Sequence, residues 1–315
     1  MKGRKGTFSP SIKSARAKAT GGRKLTDEEL KTLHDVTFRT YVDLLDACGR
    51  LGLTPFLCAG SLLGAVRHGG FIPWDDDFDV AMTREEFEIL KSNFKVELGD
   101  KYVLSARGGT VPPRARFPKI MRRGTVAYET GFRPHDDPIL DGIYVDVFVI
   151  DSVPDSNLAF KVKGTIANVL EFVSGCVYDE ERLDAAGRRA VKRASKVMYV
   201  ARTFAGKLCS PIPSSRWFEI VDSFVASSAE TRRRGLLTGS RHYFGEVFPK
   251  NVFFPAKSAR FNGTEAPIFG KAKRYLRNAY GDYMKIPPES ERTTHSIRFV
   301  RISDEVRNDL KEGAS

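Results

Sequence analysis

Trp74-Asp75-Asp76-Asp77-Phe78-Asp79 is the stretch on which the reading of this chain turns. Four aspartates fall within five positions there, and Trp74, Phe78, Val80 and Ala81 anchor them in a core. A strand from Trp74 to Met82 is predicted. Side chains alternate across a strand, so Asp75, Asp77 and Asp79 share one face, while Asp76, Phe78 and Val80 take the other. Neighbours on one face are about 6.6 Å apart at Cα, and carboxylates converge further. Gathered anions raise one another's pKa, so the cluster needs a cation. Hard divalent ions, Mg²⁺ or Mn²⁺, prefer such oxygens. A solvent-facing acidic turn would not need the apolar anchors. The spaced ligands and terminal Glu of an EF-hand loop are missing.

Upstream, Pro55 to Ala59 reads as a short buried strand that Gly60-Ser61 breaks. Leu62 to His68 follows as a short helix, and Gly69-Gly70 as a turn. Glycine lets the backbone approach a phosphate closely, and a helix N-terminus offers it free N–H groups. Gly60 and Ser61 are therefore candidate phosphate contacts. The pair is also an ordinary turn, and gains weight because Asp77 follows Ser61 by 16 positions. Downstream, Tyr144 to Ile150 is the most strand-like segment of the chain. Asp146 within it is costly to bury without a partner. It either joins Asp77 and Asp79 at one metal or pairs with an Arg or Lys. The third acid of the site is thus Asp146 or Asp75.

Thr26-Asp27-Glu28-Glu29 has the capping-box pattern that opens a helix, and Gly52 marks its end. A helix from Arg84 to Phe94 and strands at Tyr102 to Ala106 and Arg116 to Met121 follow. Beyond Pro154 the pattern is helical to Lys207, and again from Trp217 to Ala229. Phe253 to Ile268 reads as irregular with short strands, and Lys271 to Tyr280 as a helix ended by Gly281. Charged residues dominate from Ser303, where order is expected to fade. The fold class is α/β (α+β), a mixed core with a helical second half. The expected layout is a disordered basic arm at 1–25, one domain at 26–300 with a helical insertion about 156–235, and a charged tail at 301–315.

With 51 Lys and Arg against 39 Asp and Glu, the net charge of +12 favours anionic partners. From Arg188 to Arg216 there are eight basic residues and no acidic one, with apolar residues interleaved. That is either a basic amphipathic helix for an anionic membrane surface or a solvated face above an ordinary core stripe. Cys48, Cys58, Cys176 and Cys209 form no CxxC pair, as expected of small buried groups in a reducing compartment. No run approaches the roughly 18 uninterrupted apolar residues of a membrane span. The expected location is cytoplasmic, with peripheral contact at the inner membrane face left open.

The run from Gly60-Ser61-Leu62-Leu63-Gly64 through Arg67-His68-Gly69-Gly70-Phe71-Ile72-Pro73-Trp74 to Val80 closely resembles the LicD family. That family includes phosphocholine transferases and is related to the fukutin-type phosphotransferases. Tyr144-Val145-Asp146-Val147-Phe148-Val149-Ile150-Asp151 looks like its Asp-bearing strand. Tyr280-Gly281-Asp282-Tyr283-Met284-Lys285-Ile286-Pro287-Pro288, followed by His295, is a third match.

The resemblance implies a nucleotidyltransferase-like fold in which Gly60 and Ser61 hold donor phosphate. It implies Asp77 and Asp79 as the metal pair, with Asp146 as third acid and Asp75 as competitor. It further implies transfer of a phospho-substituent from a CDP-linked donor to a glycan or glycolipid hydroxyl. Arg67, Lys119 and Arg122 are candidate contacts to the diphosphate, each equally at home in an ordinary salt bridge. His68 and His295 are candidates for shaping the pocket. The alternatives are nucleotidyl transfer to a small phosphorylated substrate, and a non-catalytic module that binds anionic surfaces or nucleic acid. Nucleic acid is disfavoured, because carboxylates repel a phosphate backbone.

Overall fold

The computed structural model describes residues 25–292 and 297–312. The arm expected at 1–25 lies, save for Leu25, outside the described residues, and so does His295. Helix α1 (Asp27–Leu51) opens as its capping box demands. The Thr26 hydroxyl accepts from the Glu29 N–H, the Glu29 carboxylate accepts from the Thr26 N–H, and Gly52 closes the helix in the left-handed conformation. Strand β1 (Phe56–Leu57) is only two residues long, because Cys58 already caps helix α2 (Ala59–His68). Gly60 and Ser61 therefore lie in the first turn of that helix rather than ahead of it.

The acidic stretch departs from the sequence expectation. Ile72 to Asp75 is a turn, with Pro73 in its second position and the Asp75 N–H donating to the Ile72 carbonyl at 3.0 Å. Strand β2 spans only Asp79–Thr83. Proline presets the turn, and a run of aspartates has poor strand propensity, so Trp74 to Phe78 remains irregular. Helix α3 (Arg84–Glu97) follows, capped by Thr83 and Glu86. Then come β3 (Tyr102–Ser105), β4 (Lys119–Arg122), β5 (Thr125–Glu129) and β6 (Tyr144–Ser152).

The helical second half holds α4 (Asn157–Arg182), α5 (Ala185–Ala194), α6 (Lys196–Cys209) and α7 (Ser214–Val225). Short elements return the chain to the sheet: β7 (Arg233–Leu236), α8 (His242–Gly245), β8 (Val247–Pro249), β9 (Lys257–Phe261) and β10 (Thr264–Ile268). After α9 (Ala272–Tyr280) come β11 (Ile297–Ile302) and α10 (Asp304–Glu312). The expected loss of order from Ser303 is corrected by α10, whose Asp309 pairs with Arg122 at 3.0 Å.

The main sheet has the order β3-β4-β6-β2-β1-β10-β9, with β7 on the far end of β6 and β8 beside β7. It is mixed: β2 with β6 and β1 with β10 are parallel, and the other pairs antiparallel. β11 and β5 form a separate ribbon. This is the mixed core with helical second half that the sequence pattern implies. Phe78 sits fully buried behind the acids, within 4.9 Å of the Tyr41 ring and 5.2 Å of the Phe261 ring. That aromatic contact fixes the segment from which Asp77 and Asp79 emerge.

Candidate metal centre

Asp79 opens β2, and Asp146 is its direct partner on the parallel strand β6. The Asp146 N–H donates to the Phe78 carbonyl at 2.8 Å, which locks the two strands together at the start of β2. Asp77 arrives from the irregular segment just before. The three carboxylates each offer an oxygen within 4.8 Å of the others. Asp79 and Asp146 are buried, and Asp77 is half-buried. The acids thus converge across two strands and a loop, not along one strand face. The donor set is all carboxylate oxygen, which suits a hard divalent cation and not a soft one.

The first turn of α2 is built against these acids. The Gly60 N–H donates to the Asp79 carboxylate at 3.2 Å, and the Asp79 N–H donates to the Ser61 hydroxyl oxygen at 2.8 Å. A Cβ on Gly60 would lie 2.6 Å from the Asp75 carboxylate and 3.6 Å from that of Asp79. A side chain at position 60 would therefore push the Asp75 carboxylate out of its place. Ala59, just before it, holds φ at 40°, a left-handed conformation costing about 1–3 kcal/mol. Asp75 is brought to the same helix end, beside Asp79. Asp76 turns away, and its carboxylate accepts from the Ile297 N–H on β11 at 3.3 Å.

Lys119 lies beside Asp146 on the other flank, since β4 pairs with β6 in the register Lys119 to Asp146. Its ammonium donates to the Asp146 carboxylate and sits 3.5 Å from the centre of the Tyr144 ring. Burial lowers the Lys119 pKa, with Asp146 opposing that shift and Arg114 adding to it. Asp79, Asp146 and Lys119 thus form one row across three neighbouring strands. Arg114 braces the row from behind: it pairs with Glu129 at 2.9 Å and stacks on Tyr144.

The remaining candidates separate. Arg67 donates to the Tyr283 carbonyl at 2.9 Å, tying α2 to the Tyr280 to Pro288 segment. His68 meets the Trp74 ring edge-on at 6.2 Å, and burial lowers its pKa, with Arg67 adding to the effect. Arg122 is not brought to the triad. Three positions from Lys119 it faces the other way, and its guanidinium is committed to Asp309 and the Lys101 carbonyl.

Three residues escaped the sequence reading. The His34 ring bonds the Asp75 carbonyl at 2.7 Å and stacks on Phe71 at 4.0 Å, holding the turn before the acids. Tyr280 has its phenol held well above the usual range by desolvation and then by the charges of Asp79, Asp75 and Asp77. Arg292 lies 4.2 Å over the Trp74 ring. His34 and Arg292 are far from the motif in sequence, and nothing local marks them. Tyr280 lies in a matched motif, but its approach to Asp75, Asp77 and Asp79 depends on packing across some two hundred residues.

Residues 52–137 match the family model described as LicD/FKTN/FKRP, nucleotidyltransferase domain. Over those residues the chain is similar to the LicD family. It is 26% identical over 267 residues to the lipopolysaccharide cholinephosphotransferase LicD of Haemophilus influenzae, covering 81% of this chain and 91% of that protein. The LicD match contains Gly60, Ser61, Asp75, Asp77, Asp79 and Lys119, while Asp146 lies just beyond its end. The wider LicD similarity spans most of the fold described above.

Proposed function

We propose that the protein is a metal-dependent phosphotransferase that moves a phospho-substituent, phosphocholine-like, from a CDP-linked donor to a glycan hydroxyl. The observation that carries this reading is the convergence of Asp77, Asp79 and Asp146 beside the first turn of α2. The similarity to a cholinephosphotransferase supports it. Asp77, Asp79 and Asp146 would hold Mg²⁺ or Mn²⁺, which when bound neutralises charge on the donor phosphates. Lys119 fixes Asp146 and adds a buried positive charge beside the phosphates. The α2 N-terminus, with Gly60 and Ser61, orients the donor.

In this reading the acceptor hydroxyl attacks the phosphorus that carries the substituent. The new P–O bond forms as the bond to CMP breaks, and the hydroxyl proton passes to a carboxylate. Asp146 is already bonded to Lys119, so we assign the proton to Asp75. Arg67 keeps Tyr283 in place and acts on the site through that segment. The four free cysteines, three of them buried, fit a cytoplasmic enzyme. Among the described residues no helix is long and apolar enough to cross a membrane.

The test is a panel of CDP-linked donors, carrying choline, a polyol or a sugar, with Mg²⁺ and a glycan acceptor. Acceptor-dependent CMP release is expected. Pyrophosphate release from a nucleoside triphosphate and a phosphorylated substrate would instead assign nucleotidyl transfer. Salt-sensitive nucleic-acid binding without any turnover would remove the enzymatic reading.

A further inference from the structure

Helix α6 is built inside out. Its outward face carries Val197, Val200, Phe204 and Leu208, exposed by 81%, 65%, 70% and 68%. Their spacing places them along one side of a helix. The face turned to the protein is small or polar. A Cβ on Gly206 would lie 2.6 Å from the Cys176 carbonyl, and Arg202 pairs with Asp179 at 2.6 Å. Folding gains nothing from four large apolar side chains left in water. Helix α4, on which α6 packs, repeats the pattern: Leu158, Val162, Ile166 and Val169 are exposed at helical spacing.

The α5–α6 segment carries charges of one sign. Between Asp184 and Glu219 the chain has no acidic residue. Arg189, Lys192, Arg193, Lys196 and Lys207 are all exposed, and none forms an ion pair among the described residues. The other three cations of the segment are spoken for: Arg188 by Glu180, Arg202 by Asp179 and Arg216 by Glu219.

We propose that the outward faces of α4 and α6, with the basic face of α5, dock the enzyme on an anionic lipid bilayer. A bilayer supplies both things this surface lacks, an apolar phase for the Val, Phe and Leu side chains and anionic headgroups for the five cations. A second copy would cover the apolar face but would set the same cations against themselves across a two-fold axis. Nucleic acid would answer the charge and leave the apolar side chains in water. The helices lie on the membrane rather than span it. The docking does not depend on which group the enzyme transfers.

The experiment is flotation of the full-length protein with vesicles of phosphatidylcholine alone or with a third phosphatidylglycerol, at low and high salt. Binding to the anionic vesicles is expected, weakened by salt. Two variants divide the contributions. Val200→Ser/Phe204→Ser/Leu208→Ser should lose at least tenfold in partitioning. Lys192→Gln/Arg193→Gln/Lys196→Gln should lose about a hundredfold, at about fivefold per cation. Both should keep the parent Tm and its turnover on soluble acceptor. Equal binding of parent and variants, or none to anionic vesicles, overturns the proposal. So does a parent dimer in sedimentation velocity that the serine variant splits, because the face would then serve a second copy.

Discussion

Strands β2 and β6 run side by side and carry charge at both ends, but the two ends are put together differently. At the start, Asp77, Asp79 and Asp146 are drawn toward one another, with Lys119 at the edge of the group. At the finish, each acid is matched to an arginine. Arg84, directly after β2, holds Asp151 of β6 through two bonds of 3.0 and 2.8 Å, and reaches Asp222 of α7 at 2.9 Å. Arg107 completes the set by pairing with Asp222 at 2.7 Å. A matched cluster is closed: its charges neutralise one another and join sheet, helix α3 and the helical half. Carboxylates gathered within reach of one oxygen-loving ion are costly for folding and useful for binding. The contrast sets acids matched to arginines against acids gathered on one another along the same pair of strands.

That contrast breaks most visibly at the first end. Asp77→Asn and Asp79→Asn should each lower transfer by about a thousandfold or more, a barrier increase of about 4 kcal/mol, while Tm stays within a few degrees of the parent or rises. Turnover close to parental with saturating Mg²⁺ would remove these residues from the site. At the other end the effect is on stability. Arg84→Met leaves Asp151 buried without its arginine and should cost about 3–5 kcal/mol in urea unfolding. The double variant Arg84→Met/Asp151→Leu should recover part of that loss, since an apolar pair removes both charges. Recovery below the noise, or an Arg84→Met loss under about 1 kcal/mol, would deny the closed cluster its structural role.

The smallest effect concerns His34, which steadies the turn before the acids. Burial lowers its pKa below the ordinary 6.5. The folded state therefore prefers the neutral ring, while the unfolded chain takes up a proton as pH falls below about 6.5. The stability tied to a neutral His34 is present above that pH and declines beneath it. His34→Gln should thus be less stable than the parent at pH 7.5, with the Tm gap narrowing at pH 5.5. A gap independent of pH would mean that the ring is not held neutral.

Much of this was legible in the chain. The capping box at Thr26, the glycines that end α1 and α2, and the strand character of Tyr144 to Ile150 are local signals, and each yields the element it foretells. The acids of the site were legible as a pattern, because so many aspartates beside Phe78 have no cheap structural use. Their manner of meeting was not. Alternation along one strand was the natural reading, yet Pro73 sets a turn and the acids gather from a loop and two strands. Arg122 and Lys119 looked alike in sequence, and a three-residue offset on β4 sends one to α10 and the other to Asp146.

By itself, the sequence determined which chemistry was on offer: clustered carboxylates, a glycine where backbone and acid must approach, and a one-signed basic segment without acids. Those are properties of residue type and short spacing, and they survive without knowledge of the fold. Only the tertiary structure decided which carboxylates share a space, which cations are already paired, and which apolar side chains are left facing water. Each of these depends on strand register and helix packing between segments up to hundreds of residues apart, as in the contact of Asp76 with Ile297. No local signal carries that information.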